Sequence, residues 1–570
     1  MKFTRLIISI ILITSGTYNT ILAKNELFYE VLVAADHRNV NSPIFNRTLA
    51  SNDKSLQEQS LLALGRIGKS QATLKISPFL YSKEAELRAM AAFSLGISTD
   101  VGAHKLLAIQ LTSEKNPQVL SKLLIAIGNL GDAKGAISSI LPFLNSKDTD
   151  VVSAACDGLS LAWTFHRDKV SVPNSTQITR LLELSQSNAN IAEHCLFTLS
   201  RLRREPALFD INLLKKVAED ISTIEAKILA LRIMAAMNNI NFLEYFIDSF
   251  KNSNSARVNA EIATAIAILT SDKNFLSSDK NEELLEAVKL VIRNSGSHVK
   301  VNLINALILT KEQPLLITVT EELLNDQSAW VRNQALTMLF TVIPEKMNLR
   351  LLALTKSKEF QAQAVALNIL RQHQIQDSEK LLTILAKSAH KGITSIATRV
   401  LKDENADAEE EVQPRKSAQA IKAYEFASKK MSIKTSRGDI IIQLLPTATF
   451  TSSNFYQLAK SGFYDGLSFH RVVPNFVVQG GDPESTGQGG PGFSIREELS
   501  MESHLRGTLG MATSGKDTGG SQFFFNNSNN IHLNNNYTVF AKIIKGIELI
   551  DSFEVGDSIL SIKELSVSEL

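Results

Sequence analysis

The chain has 570 residues but only two cysteines, Cys156 and Cys195, both inside helical apolar patterns. They read either as two buried thiols or as one disulfide between neighbouring helices. The sequence does not say how far apart they lie, so both readings stay open. None of the ten histidines falls at metal-ligand spacing, and no metal or other cofactor is expected. Charge of one sign is also missing: the net charge of +2 makes no case for a nucleic-acid or acidic-membrane partner. No segment beyond the N-terminus is long and apolar enough to span a bilayer. The glycine-rich run from Gly487 to Gly492 lacks the Lys-Ser/Thr of a phosphate loop and opens no helix. No serine or cysteine stands in a recognisable nucleophile motif, so covalent catalysis has no candidate.

What is present is ordinary soluble-protein composition, 44% apolar and 21% charged, in a chain too long for one core. Lys2 and Arg5 precede an apolar run from Leu6 to Ile13, followed by Thr14, Ser15, Gly16 and the small residue Ala23. This is the layout of a secretory signal peptide over residues 1–23, and it predicts an exported protein, bacterial periplasmic or secreted. A membrane association is expected only if that segment stays uncleaved.

Residues 24–400 repeat. Gly65, Gly96, Gly128 and Gly158 recur about every 31 residues, each after an amphipathic helical stretch carrying small residues such as Ala91, Ala92, Ala154 and Ala155. A second helical stretch follows each, as at Ala136 to Leu144 with Pro142 inside it. Arg257 to Leu269, Val299 to Thr310, Trp330 to Ile343 and Phe360 to Gln372 continue the apolar i, i+3, i+4, i+7 pattern. A fixed period of this kind predicts an all-α solenoid, in which each helix pair buries its apolar face on the next. The unit, with Leu87-Arg88 and Val331-Arg332, resembles a HEAT repeat, which implies a protein-binding surface whose partner is unknown.

An acidic block from Asp403 to Glu411 ending at Pro414, then a short helix, marks residues 401–430 as a linker. From Met431 the period becomes alternating. Ser432 to Thr435 and Asp439 to Leu444 read as strands joined across Arg437-Gly438, and Thr451 to Ser461 as a helix with Ser452, Ser453 or Asn454 as cap. Short strands and glycine-rich turns then predict a mainly β domain over 431–570, a small closed barrel with flanking helices.

This domain contains Phe-Tyr-Asp-Gly-Leu-Ser-Phe-His-Arg-Val-Val-Pro-Asn-Phe-Val-Val-Gln-Gly-Gly-Asp-Pro at 463–483 and Gly-Ser-Gln-Phe-Phe-Phe at 520–525. Together these resemble the active-site segments of cyclophilins, the peptidyl-prolyl cis/trans isomerases. The resemblance covers essentially the whole domain. It implies Arg471 and Gln479 as catalytic residues, with Phe476, Val477, Phe524 and Leu533 as an apolar proline pocket and Gln522 as an orienting amide. It further implies Ala512 and Thr513 as the segment pairing with residues before proline; Thr513 stands where asparagine is commonest. His532 replaces a tryptophan that binds cyclosporin in many eukaryotic members, and Tyr537 replaces the usual histidine at the far wall. Weak cyclosporin inhibition is expected.

Two functions fit. The first is an isomerase acting on proline-containing peptides and unfolded exported clients, with the helical repeats binding protein. The second is a non-catalytic scaffold or chaperone that only grips proline segments.

Overall fold

The computed structural model describes residues 25–565 except 99, 132–134, 167, 172, 203–205, 271–280, 311–312, 343–347, 373–374, 376 and 403–428. The expected leader at 1–23 and most of the expected linker therefore lie outside the described residues. Two compact units are present. One holds the described residues up to Pro173 with Leu499–Met501; the other holds those from Asn174 onward, including the C-terminal sheet.

In the first unit the helices Lys54–Ile67, Ala85–Ile97, Pro117–Leu130 and Thr149–Phe165 stack, each on the next. Asp53, Asn116 and Asp148 cap three of them, each side chain accepting from two backbone N–H groups of the first turn. Each such cap contributes about 1 kcal/mol. The repeating glycines were expected to follow the helices but lie inside them, and the reason is steric. A Cβ on Gly65 would meet the Ser94 carbonyl oxygen at 2.6 Å, one on Gly96 the Ala126 Cβ at 2.8 Å, and one on Gly128 the Gly158 oxygen at 2.1 Å. The helix ends are instead made by Gly68 and Gly131, whose φ of 72° and 52° is left-handed. Pro78 and Pro142 each sit in a short 3₁₀ turn that closes the second helical stretch. Cys156 is fully buried in this unit, and Cys195 in the other.

In the second unit the stacking runs through Ala189–Ser200, Ile224–Ala236, Ala256–Leu269, Ser297–Thr310, Ala329–Val342, Phe360–Gln372 and Lys391–Leu401. Buried alanines at 230, 263 and 306 allow the close approach that glycine allows earlier. No helix among the described residues is long and apolar enough to cross a membrane.

The sheet contains β1 Lys430–Thr435, β2 Gly438–Leu444, β3 Arg471–Val473, β4 Val477–Gly480, β5 Thr508–Met511, β6 Phe523–Asn526, β7 Val539–Lys545 and β8 Ile559–Glu564. All pairings are antiparallel, in the order β3-β4-β6-β5-β7-β2-β1-β8. The expected closed barrel is corrected here: the sheet is a curled half-barrel whose strand order ends at β3 and β8. Between them stands one isolated bridge, Ser468 to Ser558, flanked by irregular backbone hydrogen bonds. Gly466 and Gly556, at φ 81° and 98°, turn the chain at this seam, which interrupts any regular ladder.

The helix against the sheet runs Thr449–Lys460, and Ser452, Ser453 and Asn454 are buried within it rather than capping it. The buried Glu498 carboxylate caps it from another segment, accepting from Thr451 N at 2.8 Å and Oγ1 at 3.0 Å. Phe455, Tyr464, Phe523 and Phe540 form the aromatic core beneath.

Candidate active site

Strand register places the polar half of the site. Arg471 opens β3 directly opposite Gln479 on β4, and Gln479 lies opposite Phe524 on β6. Arg471 Nη1 donates to Gln479 Oε1 at 3.4 Å, and Gln479 Nε2 donates to Gln522 Oε1 at 2.9 Å. Gln522 Nε2 in turn donates to the carbonyls of Gly487 and Gly489, at 3.0 and 2.8 Å. Each amide thus has its orientation set by a partner, and the chain of bonds ends on the glycine-rich loop. That loop is shaped by buried Asp482, which accepts from the backbone N–H groups of Glu484, Thr486 and Gly487. Gly489 has to be glycine, since a Cβ there would meet Asp482 Oδ1 at 2.1 Å. Asp482 is therefore structural, and His470 beside it makes no acid–base pair with it by hydrogen bonding.

Beside this row lies the apolar half. Val477, Phe524 and Leu533 are buried together, with Phe476, Ala512 and Tyr537 packed against them. The Arg471 guanidinium stands 5.5 Å from the Phe476 ring centroid. The side chain is exposed at the rim, yet the apolar floor removes enough water to lower its pKa from the ordinary value, with Tyr537 acting the other way. It remains cationic at any physiological pH. Tyr537 meets Phe524 edge-on at 5.9 Å, and Thr513 lies half-buried just past β5.

Several supporting residues were not singled out by sequence. His504 stacks under Phe524 at 5.7 Å, and its Nε2 lies 3.1 Å from the Tyr537 carbonyl. Burial pushes its pKa down to about 4, so it stays neutral. The asparagine-rich stretch 526–536 also supports the site. Asn527 N and Asn530 Nδ2 both donate to the Phe476 carbonyl, and Asn526 Nδ2 lies 3.1 Å from His504 Nδ1. Asn475, at φ 55°, turns the chain immediately before Phe476; asparagine tolerates that region better than most residues. His532 stacks on Phe476 with centroids 5.6 Å apart, and burial drops its pKa to about 3.

The site can hold an apolar ring and direct N–H donors at a polar atom beside it. Comparison with known proteins agrees. The family model for cyclophilin type peptidyl-prolyl cis-trans isomerase/CLD matches residues 430–564. A peptidyl-prolyl cis-trans isomerase of Helicobacter pylori is 44% identical over 153 residues, covering 25% of this chain and 94% of that protein. Peptidyl-prolyl cis-trans isomerase B of Bacillus subtilis is 50% identical over 121 residues, 21% of this chain and 85% of that protein. A Synechococcus elongatus isomerase is 44% identical over 134 residues, 23% and 92%. The chain belongs to the cyclophilin-type peptidyl-prolyl cis-trans isomerases, and its enzymatic class follows from that membership.

Proposed function

We propose that residues 430–564 isomerise X-Pro bonds in exported client proteins and that the HEAT-like helical repeats bind protein. Rotation about an X-Pro bond is slow because amide resonance imposes a barrier of about 20 kcal/mol, although cis and trans differ by only about 1 kcal/mol. In the twisted state the prolyl nitrogen becomes pyramidal and regains its lone pair. A donor aimed at that nitrogen binds the twisted state better than either planar one, which lowers the barrier.

Arg471 is the donor in this reading. Gln479 and Gln522 hold it in place, while Phe476, Val477, Phe524, Leu533 and Tyr537 grip the proline ring and Ala512–Thr513 receive the preceding residues. The carrying observation is the bonded row Arg471–Gln479–Gln522 alongside that apolar cluster. Export is supported by the N-terminal charge-then-apolar pattern.

A protease-coupled assay on an X-Pro peptide tests the catalytic reading. Wild type is expected to accelerate the slow phase and Arg471→Ala to lose most of that acceleration. Equal background rates for both would leave only the scaffold reading.

A further inference from the structure

The second unit contains a cavity of about 420 Å³ bordered by Phe476 and His532 on the sheet side. Its opposite wall comes from the helices Ala189–Ser200, Ile224–Ala236 and Ala256–Leu269. The His532 imidazole joins the two sides. It stacks on Phe476 and on Phe197 of the first helix, with centroids 5.6 and 5.8 Å apart and both pairs inclined by 19°. The helical wall is pinned beside the pocket by polar bonds. Arg257 Nε donates to Asn475 Oδ1, Asn475 Nδ2 donates to the Arg257 carbonyl at 2.8 Å, and Asn529 Nδ2 donates to Glu193 Oε2 at 2.9 Å.

Five charged side chains line the cavity: Glu193, Glu225 and Glu261 against Arg201 and Arg232. Two of the carboxylates have an arginine of their own, Glu225 with Arg257 at 2.6 Å and Glu261 with Arg232 at 2.5 Å. Arg201 lies over the Phe197 ring, 4.5 Å from its centroid. Glu193 accepts from the neutral donors Thr223 and Asn529, and its half-buried carboxyl has a pKa raised chiefly by desolvation, with Glu225 acting the same way and His194 the other. A cation arriving next to it relieves that cost.

We propose that these helices complete the isomerase site by forming a subsite for the residue that follows proline, selecting a long basic side chain with Glu193 as its acceptor. This rests on the reading above, in which proline sits on Phe476 and the preceding residues run along Ala512–Thr513. The following residue then leaves past Phe476 and His532, where the cavity begins. Phe197 acts as a positioning residue by holding His532 against the pocket floor.

The test compares the full chain on three peptides that differ only after proline, carrying Lys, Ala or Glu. Wild type is expected to favour Lys over Ala by about tenfold in kcat/KM and to disfavour Glu, a preference the size of one partly desolvated ion pair. Glu193→Gln, which keeps the shape and one acceptor oxygen, should bring the Lys-to-Ala ratio near one. Phe197→Ala should raise KM for the Lys peptide more than it lowers kcat. A Lys-to-Ala ratio near one in wild type, a preference for Glu, or a ratio unaltered in Glu193→Gln each overturns the proposal. Turnover of the Ala peptide by wild type, and its loss in Arg471→Ala, separately reports on the isomerase reading. The wild-type peptide series stands even if a variant fails to fold.

Discussion

The imidazole of His532 stacks on two phenyl rings, Phe476 of the candidate proline pocket and Phe197 of the helix Ala189–Ser200. One residue of the site therefore has its conformation set from both the sheet and the repeats. A ligand stacking on His532 competes with Phe476 and Phe197 for its ring. Cyclosporin, which uses a tryptophan at this place in many relatives of the family, is expected to inhibit only weakly. Inhibition at submicromolar concentration in the isomerase assay would contradict this.

The polar row makes a second expectation quantitative. Removing a preorganised transition-state donor typically costs 100-fold or more, so Arg471→Ala should lower kcat/KM by about that factor. Gln522→Leu leaves the guanidinium in place but removes the amide that accepts from Gln479 and donates to the Gly487 and Gly489 carbonyls. A loss of about tenfold in kcat is expected, read in the same assay. Equal activity to wild type would separate the amides from catalysis.

His504 predicts how stability changes with pH. Its folded pKa is depressed to about 4 by burial, below the unfolded value near 6.5. The unfolded chain then takes up the proton first, so acid favours unfolding. The contribution is complete above about pH 6.5 and is lost progressively as pH falls toward 4, amounting to about 3 kcal/mol. Denaturant titrations of wild type and His504→Gln across this window measure it. The variant should show a shallower acid slope.

The repeat glycines allow a contrast within one chain. Gly128→Ala forces a Cβ to 2.1 Å from the Gly158 carbonyl oxygen, while Gly296→Ala meets nothing within 4 Å. Overpacking of this kind costs about 1–3 kcal/mol. The midpoint of thermal unfolding should fall clearly for Gly128→Ala and barely move for Gly296→Ala. Equal shifts would remove close helix approach as the reason for the repeat.

Phe524 is 5% exposed and touches Val477, Leu533, Tyr537 and His504. Phe524→Ala should destabilise the sheet by about 3 kcal/mol. Near-ultraviolet circular dichroism during denaturant unfolding reports it.

Much of the candidate site was legible because the motif that resembles cyclophilins is continuous along the chain. Arg471, Phe476, Val477 and Gln479 fall within nine positions, and pairing of β3 with β4 makes the first and last of them face each other. Helix positions at 256–269, 297–310, 329–342 and 360–372 were likewise readable from apolar spacing. The cap of the helix Thr449–Lys460 was misplaced because Glu498, which supplies it, lies 47 positions from Thr451. Closure of the sheet was also misjudged. Local alternation reveals strands, but whether the first and last edges pair depends on two glycine turns far apart in sequence.

The amino-acid sequence by itself determined the helical period and the first two strands, each of which depends on spacing over a few residues, where backbone geometry leaves few choices. The candidate proline-pocket residues came instead from its resemblance to cyclophilins. The tertiary structure alone decided that Gly65, Gly96 and Gly128 serve close helix approach, that Asn527 and Asn530 hold the Phe476 carbonyl, and that Phe197 meets His532 across 335 positions. Those contacts join segments distant in the chain, and only packing brings them within reach.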